Sequence, residues 1–184
     1  MPKAVSITGR ISSITNSFVN SIIPVIHPTT SQINEALSIL QMIPEDVQCA
    51  YCGDKATEWD HLRPLVVDQK PTGYISEIGN LVPSCGKCNQ SKGNKNWFEW
   101  MTSNAPQSPK VRRVPDITRR MECLKLYENW HPIKLYKFPD IAGEELWNDY
   151  IENWKNLLWE MQKSQKIANT IRERVKQHVD SEGD

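Results

Sequence analysis

The sequence predicts a mostly helical α+β protein, in which a small zinc-binding unit is flanked by helical extensions. Two C-x-x-C pairs enclose 32 residues that carry short strand-like runs and turns. Outside the pairs, apolar residues recur at spacings of three and four, which is the period of an amphipathic helix. We therefore expect three segments: an N-terminal arm and helix at 1–44, the zinc unit at 45–101, and a basic linker with a helical region at 102–184.

The cysteines indicate a structural zinc site. Cys49 and Cys52 form the first pair, and Cys85 and Cys88 form the second. Two intervening residues let one tight turn present both sulfurs to one ion, and four thiolates fill the tetrahedral shell of zinc, so such a site supports the fold. Because paired cysteines of this kind favour metal ligation in a reducing compartment, we expect a cytoplasmic location.

The N-terminal segment is ambiguous up to residue 30. Hydroxyl residues alternate there with β-branched ones, which suits either a short strand or hairpin or a poorly ordered arm. Thr30 and Ser31 then cap a predicted helix that runs to Ile43, and Pro44 closes it.

Within the zinc unit, strand and turn signals alternate. Residues 56–61 read as a short strand, 68–73 are rich in turn formers, and 78–83 lead into the second cysteine pair. A helix is predicted from Cys85, with its end at Gly93, because glycine commonly follows the last helical turn.

The C-terminal third is predicted to be helical after a proline-rich loop at 102–118. Residues 97–101 suit one or two helical turns, and a helix is expected from Ile117 to Trp130. The longest helical pattern follows Gly143, and its apolar stripe is rich in aromatic residues. We expect that stripe to be buried, either on the same chain or against the equivalent helix of a second copy.

Three polar residues beside the cysteines carry the chemistry of phosphodiester hydrolysis. His61 suits the general base, because an imidazole has an unperturbed pKa near neutrality. Asp60 precedes it, and neighbouring residues of a strand face opposite sides, so the two can serve a metal and a water respectively. Asn89 follows a zinc ligand and supplies a neutral oxygen. A carboxylate and an amide suit a hard cation such as magnesium.

The combined pattern resembles the HNH endonucleases, the zinc-bearing ββα-metal nucleases. The resemblance covers about residues 49–93, with the cysteine pairs, Asp60-His61, Asn80-Leu81 and the run from Cys88 to Gly93 in family order. It implies that His61 is the general base, that Asp60 and Asn89 bind the catalytic Mg²⁺ or Mn²⁺, and that Cys49, Cys52, Cys85 and Cys88 hold Zn²⁺. It also implies that Asn80 braces the loop between the strands and orients His61.

Two positions depart from the family pattern. The interval from His61 to Asn80 is longer than usual, which we assign to an enlarged loop around residues 71–78. Asn89 stands where some members have a final histidine, a variant of members that favour magnesium or manganese.

Charge is distributed unevenly although the net charge is zero. From Lys87 to Arg120, eight basic residues face two acidic ones, a net charge of +6, whereas residues 140–184 carry ten acidic and six basic residues, a net charge of −4. A basic segment beside such a site suits phosphate contacts, although a solvated charged face gives the same pattern. The candidate DNA contacts are Arg63, Lys92, Lys95, Lys110, Arg112 and Arg113. No run approaches the roughly 18 apolar residues of a membrane span.

We expect a metal-dependent endonuclease that cuts duplex DNA and leaves 5′-phosphate and 3′-hydroxyl ends. Large flanks around the nuclease unit favour a site-specific, type II restriction-like enzyme, because base readout needs additional elements in a groove. A homodimer would place two active sites on a two-fold symmetric sequence. The alternatives are a nicking or phage DNA-processing nuclease and a non-catalytic zinc module that binds nucleic acid.

Overall fold

Helices make up most of the regular structure, which confirms the predicted mostly helical α+β class. The computed structural model describes residues 4–182, and within that range no helix combines the length and the apolar character of a membrane span. In chain order the helices and strands are α1 (Ile11–Ser21), α2 (Thr30–Ile39), β1 (Glu58–His61), β2 (Val66–Val67), β3 (Lys70–Pro71), β4 (Leu81–Ser84), α3 (Gly86–Lys92), α4 (Trp97–Thr102), α5 (Ile117–Trp130), α6 (Phe138–Ala142) and α7 (Glu144–Glu182).

The chain forms two compact units. One is Ser21–Tyr136, and the other combines the described parts of Met1–Asn20 and Lys137–Asp184. The four cysteines, all four strands and α2 to α5 belong to the first unit. Helix α5 lies in this unit because its apolar face, including Leu124 and Tyr127, joins the buried core around the cysteines.

The strand–strand–helix order places the candidate site. β1 and β4 pair in antiparallel fashion, with Asp60 opposite Val82 and His61 opposite Leu81. Cys85 directly follows β4 and is the N-cap residue of α3, so the second cysteine pair begins at the junction between sheet and helix. The end of α3 at Gly93 agrees with the prediction.

The enlarged loop between β1 and β4 contains a short hairpin. β2 and β3 are antiparallel, with Val67 opposite Lys70. Asp68 and Gln69 connect them with φ angles of 49° and 62°, which is the positive-φ geometry of a tight two-residue hairpin turn. The turn-rich sequence therefore forms a hairpin here.

Helix α2 begins and ends earlier than its predicted bounds. Thr29 is the N-cap residue, and its hydroxyl accepts a hydrogen bond from the Gln32 amide at 3.3 Å while the Gln32 side chain accepts one from the Thr29 amide at 2.9 Å. This reciprocal pair is a capping box. Gln41 takes a left-handed φ of 56°, and Met42 donates to the Leu37 carbonyl, so the helix stops before Ile43.

In the other unit, α1 lies where the sequence suggested a strand or an arm, and both expectations were wrong over residues 11–21. Phe18 packs on Tyr150 and Trp154 of α7, with ring centroids 5.5 and 6.5 Å apart. Packing of this kind overrides the weak helix propensity of β-branched residues.

The expectation that the same chain buries the apolar stripe of α7 is wrong for the described residues, and burial against a second copy stays a prediction. None of the described residues of α7 is buried. Tyr150 and Trp154 are half-buried in the first half of the helix, whereas Ile171 and Val175 in the second half are each 57% exposed. Residues of the N-terminal segment cover only part of this long helix.

Candidate active site and metal centre

The four predicted zinc ligands converge in the structure. Their Sγ atoms all lie within 4.8 Å of one another, and those of Cys52 and Cys85 are 3.7 Å apart. A tetrahedral ion with Zn–S bonds of about 2.3 Å would separate its sulfurs by about 3.8 Å. The donor set and its spacing therefore fit zinc.

The thiols of this cluster form hydrogen bonds with one another. Hydrogen bonds from Cys52 and Cys88 lower the pKa of Cys49 to about 3. The hydrogen bonds that Cys88 makes to Cys49 and Cys52 raise the pKa of Cys88. The cluster therefore favours at least one thiolate, which is the form that ligates a metal.

Two arginines from outside the cysteine motifs support the first cysteine turn. Arg112 donates to Cys88 Sγ at 3.4 Å and to Asp54 at 2.6 Å. Arg120 of α5 donates to the Cys49 carbonyl at 3.1 Å, and its guanidinium fills the space that a side chain on Gly53 would need. The basic segment after the cysteines thus helps to hold the turn.

Asp60 is buried and held by two donors. It is 6% exposed, and its Oδ2 atom accepts from the Tyr51 hydroxyl at 2.6 Å and lies 3.0 Å from Lys92 Nζ. Burial raises the pKa of Asp60 and lowers the pKa of Lys92, while their mutual attraction opposes both shifts. The carboxylate is therefore fixed in orientation at the interface between β1 and α3.

His61 leaves β1 on the face opposite to Asp60. Its Nε2 atom lies 2.5 Å from the Ser76 hydroxyl oxygen. Burial, with a smaller contribution from the Lys92 charge, lowers the pKa of His61 to about 4. The imidazole is consequently neutral at neutral pH, which is the form that accepts a proton.

Asn80 lies fully buried next to the segment that follows His61. Its Oδ1 atom accepts from the Arg63 amide at 2.8 Å, and its Nδ2 atom donates to the Arg63 carbonyl at 3.1 Å. The Asn80 carbonyl also accepts from the Leu62 amide at 2.8 Å. Tyr127 of α5 supports the preceding turn by donating to the carbonyls of Ile78 and, at 2.7 Å, Leu81.

Asn89 lies on α3 and faces β1. Its Nδ2 atom donates to Glu58 Oε2 at 2.6 Å, so the Oδ1 atom is directed away from that carboxylate. The same face of β1 therefore makes two polar pairs with α3, Glu58 with Asn89 and Asp60 with Lys92. Asp60 and Asn89 therefore lie on the two sides of the same β1–α3 interface, each bonded to a different partner, while His61 lies on the other face of the strand.

Comparison with known proteins identifies the region. Residues 49–95 match the family described as HNH endonuclease. These residues are an HNH endonuclease domain. The chain is also 27% identical to the CRISPR-associated endonuclease Cas9 of Corynebacterium diphtheriae over 149 residues, covering 76% of this chain and 12% of that relative. No solved structure matches the chain significantly.

The match confirms the family identified from the motifs. An HNH endonuclease domain is a metal-dependent nuclease domain, and its presence supports hydrolysis of phosphodiester bonds with DNA as the substrate. The chain spans about an eighth of the relative that it matches. The specific metals, the products and the roles of individual residues remain predictions.

The burial of Lys92 was not predicted from the sequence. Its side chain is 0% exposed in the HNH domain, so it cannot meet a phosphate while it keeps this position. Arg63 is also engaged, since it donates to the Glu128 carbonyl at 2.9 Å and lies 3.4 Å from the Glu128 carboxylate. The prediction of Lys92 as a phosphate contact is corrected by its burial.

The remaining candidate DNA contacts differ in exposure. Lys95 is exposed and donates to the Ser91 carbonyl at 2.9 Å near the end of α3. Lys110 and Arg113 are exposed on the loop after α4. Arg112 instead has its guanidinium directed at Cys88 and Asp54, so Lys110 and Arg113 are the more accessible cations of that loop.

Several residues that hold the site were not predicted. Tyr51, Glu58 and Ser76 contact Asp60, Asn89 and His61 respectively. Glu58 had a sequence signal, because it stands two residues before Asp60 and so shares its face of the strand. Ser76 had none, since it reaches His61 only through the fold of the intervening loop.

Proposed function

We propose that the chain is a site-specific endonuclease that hydrolyses phosphodiester bonds of duplex DNA and leaves 5′-phosphate and 3′-hydroxyl ends. The observation that carries this proposal is the position of His61 on β1 of an HNH domain, next to the Asp60 carboxylate that Tyr51 and Lys92 hold in place. Metal-dependent DNA cleavage is the function of such a domain; duplex specificity, site specificity and the products are our inference.

His61 serves as the general base in this proposal. The tautomer with its proton on Nε2 donates to Ser76 and leaves Nδ1 to take a proton from water. An imidazole is mostly unprotonated at neutral pH, so that nitrogen is available as a base. Asn80 keeps the backbone beyond His61 in place through its two bonds to Arg63, so the ring can keep a constant position as a base requires.

Mg²⁺ or Mn²⁺ is the catalytic cation that we propose, with Asp60 and Asn89 as its protein ligands. Their carboxylate and amide oxygens are hard donors of the kind these ions prefer. When bound, the cation stabilises charge on the phosphoryl group and on the leaving oxygen. Zn²⁺ in the four-cysteine cluster has a structural role, and a reducing, cytoplasmic location would keep its thiols available.

A homodimer is the assembly that we propose for cutting both strands. Ile171, Val175 and Val179 follow one another at intervals of four residues on α7 and are 57%, 57% and 61% exposed. An exposed apolar row on a helix suits the same row of a second copy. The mass of the chain in solution tests this directly, and replacing Ile171 and Val175 by aspartate should yield a monomer.

Digestion of a plasmid of known sequence with Mg²⁺, followed by mapping of the ends, tests the proposed activity. Discrete fragments that disappear in the His61→Ala variant support a site-specific enzyme. A smear would contradict site specificity, and open circles would identify a nicking enzyme. DNA binding without any metal-dependent cleavage would contradict the nuclease and leave a zinc-containing binding module.

A further inference from the structure

The ammonium group of Lys92 contacts both Asp60 and His61, the proposed metal ligand and the proposed base. Lys92 Nζ lies 3.0 Å from Asp60 Oδ2, 2.7 Å from the His61 carbonyl oxygen and 3.4 Å from the Gly93 carbonyl oxygen. An ammonium has three N–H donors. All three are therefore directed at oxygens of the HNH domain.

Burial makes this arrangement costly to disturb. The Lys92 side chain is 0% exposed and that of Asp60 is 7% exposed. Removing one member of a buried ion pair leaves an uncompensated charge in a poorly solvated place. For Lys92 to reach a phosphate, it would have to abandon Asp60 and the His61 carbonyl together.

The bonds that Lys92 and Tyr51 make to Asp60 converge on one carboxylate oxygen. Lys92 and Tyr51 both bind the Oδ2 atom, at 3.0 and 2.6 Å. The other oxygen, Oδ1, is not used by these two donors. Partners of this kind orient a metal-binding carboxylate and tune its affinity, and they contribute to function without touching the metal.

We propose that Lys92 is a positioning residue, which fixes the carboxylate of Asp60 relative to the backbone of His61 and does not contact DNA. The inference rests on the proposed function, because it takes Asp60 as a cation ligand and His61 as the base. Through Lys92, α3 fixes the position of the Asp60 carboxylate relative to the His61 backbone. The side chains of these two adjacent residues face opposite sides of β1.

The test compares Lys92→Met with Lys87→Met in the full chain. Lys87 is exposed on the same helix, so its variant removes an equal charge without touching the buried pair. We expect Lys92→Met to lower kcat about 10–100-fold, as loss of an outer partner of a metal ligand does. KM for the DNA and the slope of binding against salt concentration should match those of Lys87→Met.

A second measurement uses the intact Lys92 and does not depend on the stability of that variant. The ¹⁵Nζ signal of Lys92 is followed by NMR in the His61→Ala protein, with and without DNA. We expect slowly exchanging ammonium protons whose shifts stay the same when DNA binds. A signal that moves on DNA binding as a phosphate-bound lysine does would overturn the proposal.

The failure of this inference is distinguishable from the failure of the proposed function. If the wild type does not cleave DNA, or if His61→Ala cleaves normally, the proposed function fails. If wild-type cleavage requires His61 but Lys92→Met folds and keeps its kcat, only the positioning role is refuted. A flatter salt dependence in Lys92→Met than in Lys87→Met would likewise restore the phosphate-contact interpretation.

Discussion

The side-chain amide of Asn80 bonds both backbone groups of Arg63. Its oxygen accepts from the Arg63 amide at 2.8 Å, and its nitrogen donates to the Arg63 carbonyl at 3.1 Å. Asn80 is 0% exposed, so these bonds are shielded from bulk solvent. The turn before β4 is thereby fixed to the segment that follows His61.

Replacing Asn80 by alanine should therefore destabilise the fold and slow cleavage. Loss of the amide leaves backbone groups without partners, at a cost of about 1–3 kcal/mol for each group that stays buried. Urea unfolding and single-turnover cleavage measure the two effects. Asn94→Ala, at an exposed position, is the matched control and should change neither. An Asn80→Ala protein with unaltered unfolding and rate would show that the two bonds are dispensable.

His61→Ala should abolish metal-dependent cleavage while DNA binding stays within about threefold. General-base catalysis contributes about 10²–10⁴ in rate, and the ring makes no contribution to binding in the proposed mechanism. Single-turnover cleavage and an electrophoretic binding assay measure these quantities. His27→Ala, which changes an exposed histidine, should cleave as the wild type does. Equal rates for the two variants would remove His61 from the mechanism.

The sequence predicted the four-cysteine cluster because its signal is local and fixed in spacing. The two C-x-x-C pairs constrain their own geometry, and the sulfurs converge as expected. Helix α5 was predicted with the bounds it has, because turn-forming residues precede Ile117 and Pro132 follows Trp130.

What the sequence did not predict depends on partners that are distant along the chain. Lys92 in a basic segment resembles any surface lysine, and only its contact with Asp60, 32 residues earlier, shows that it is buried. Ser76 meets His61 through the folding of a loop whose hairpin was not anticipated. For α1, the local sequence suited either a strand or an arm, and the helix that forms instead packs Phe18 on α7.

Cys85→Ser should release zinc and lower the melting temperature, because a structural zinc site contributes folding free energy. Cys123→Ser is a suitable control, since Cys123 is also buried but lies outside the group of four converging sulfurs. Both variants should lose some stability. Only Cys85→Ser should lose zinc, measured by mass spectrometry of the metal content. One zinc retained per chain in Cys85→Ser would contradict a four-thiolate site.

Arg112 and Arg113 are neighbours with different expected effects. The Arg112 guanidinium contacts Cys88 Sγ and Asp54, whereas Arg113 is exposed. A positive group beside the thiolates favours their charged, metal-binding form, so Arg112→Gln should lose zinc faster to a chelator. Arg113→Gln should keep its zinc and bind DNA more weakly, with a lower salt slope, because one phosphate contact is removed.

Zinc release followed with a colorimetric chelator and DNA binding over a salt series separate the two effects. Identical zinc release in both variants would show that Arg112 does not support the cluster, and an unchanged salt slope in Arg113→Gln would exclude it as a phosphate contact.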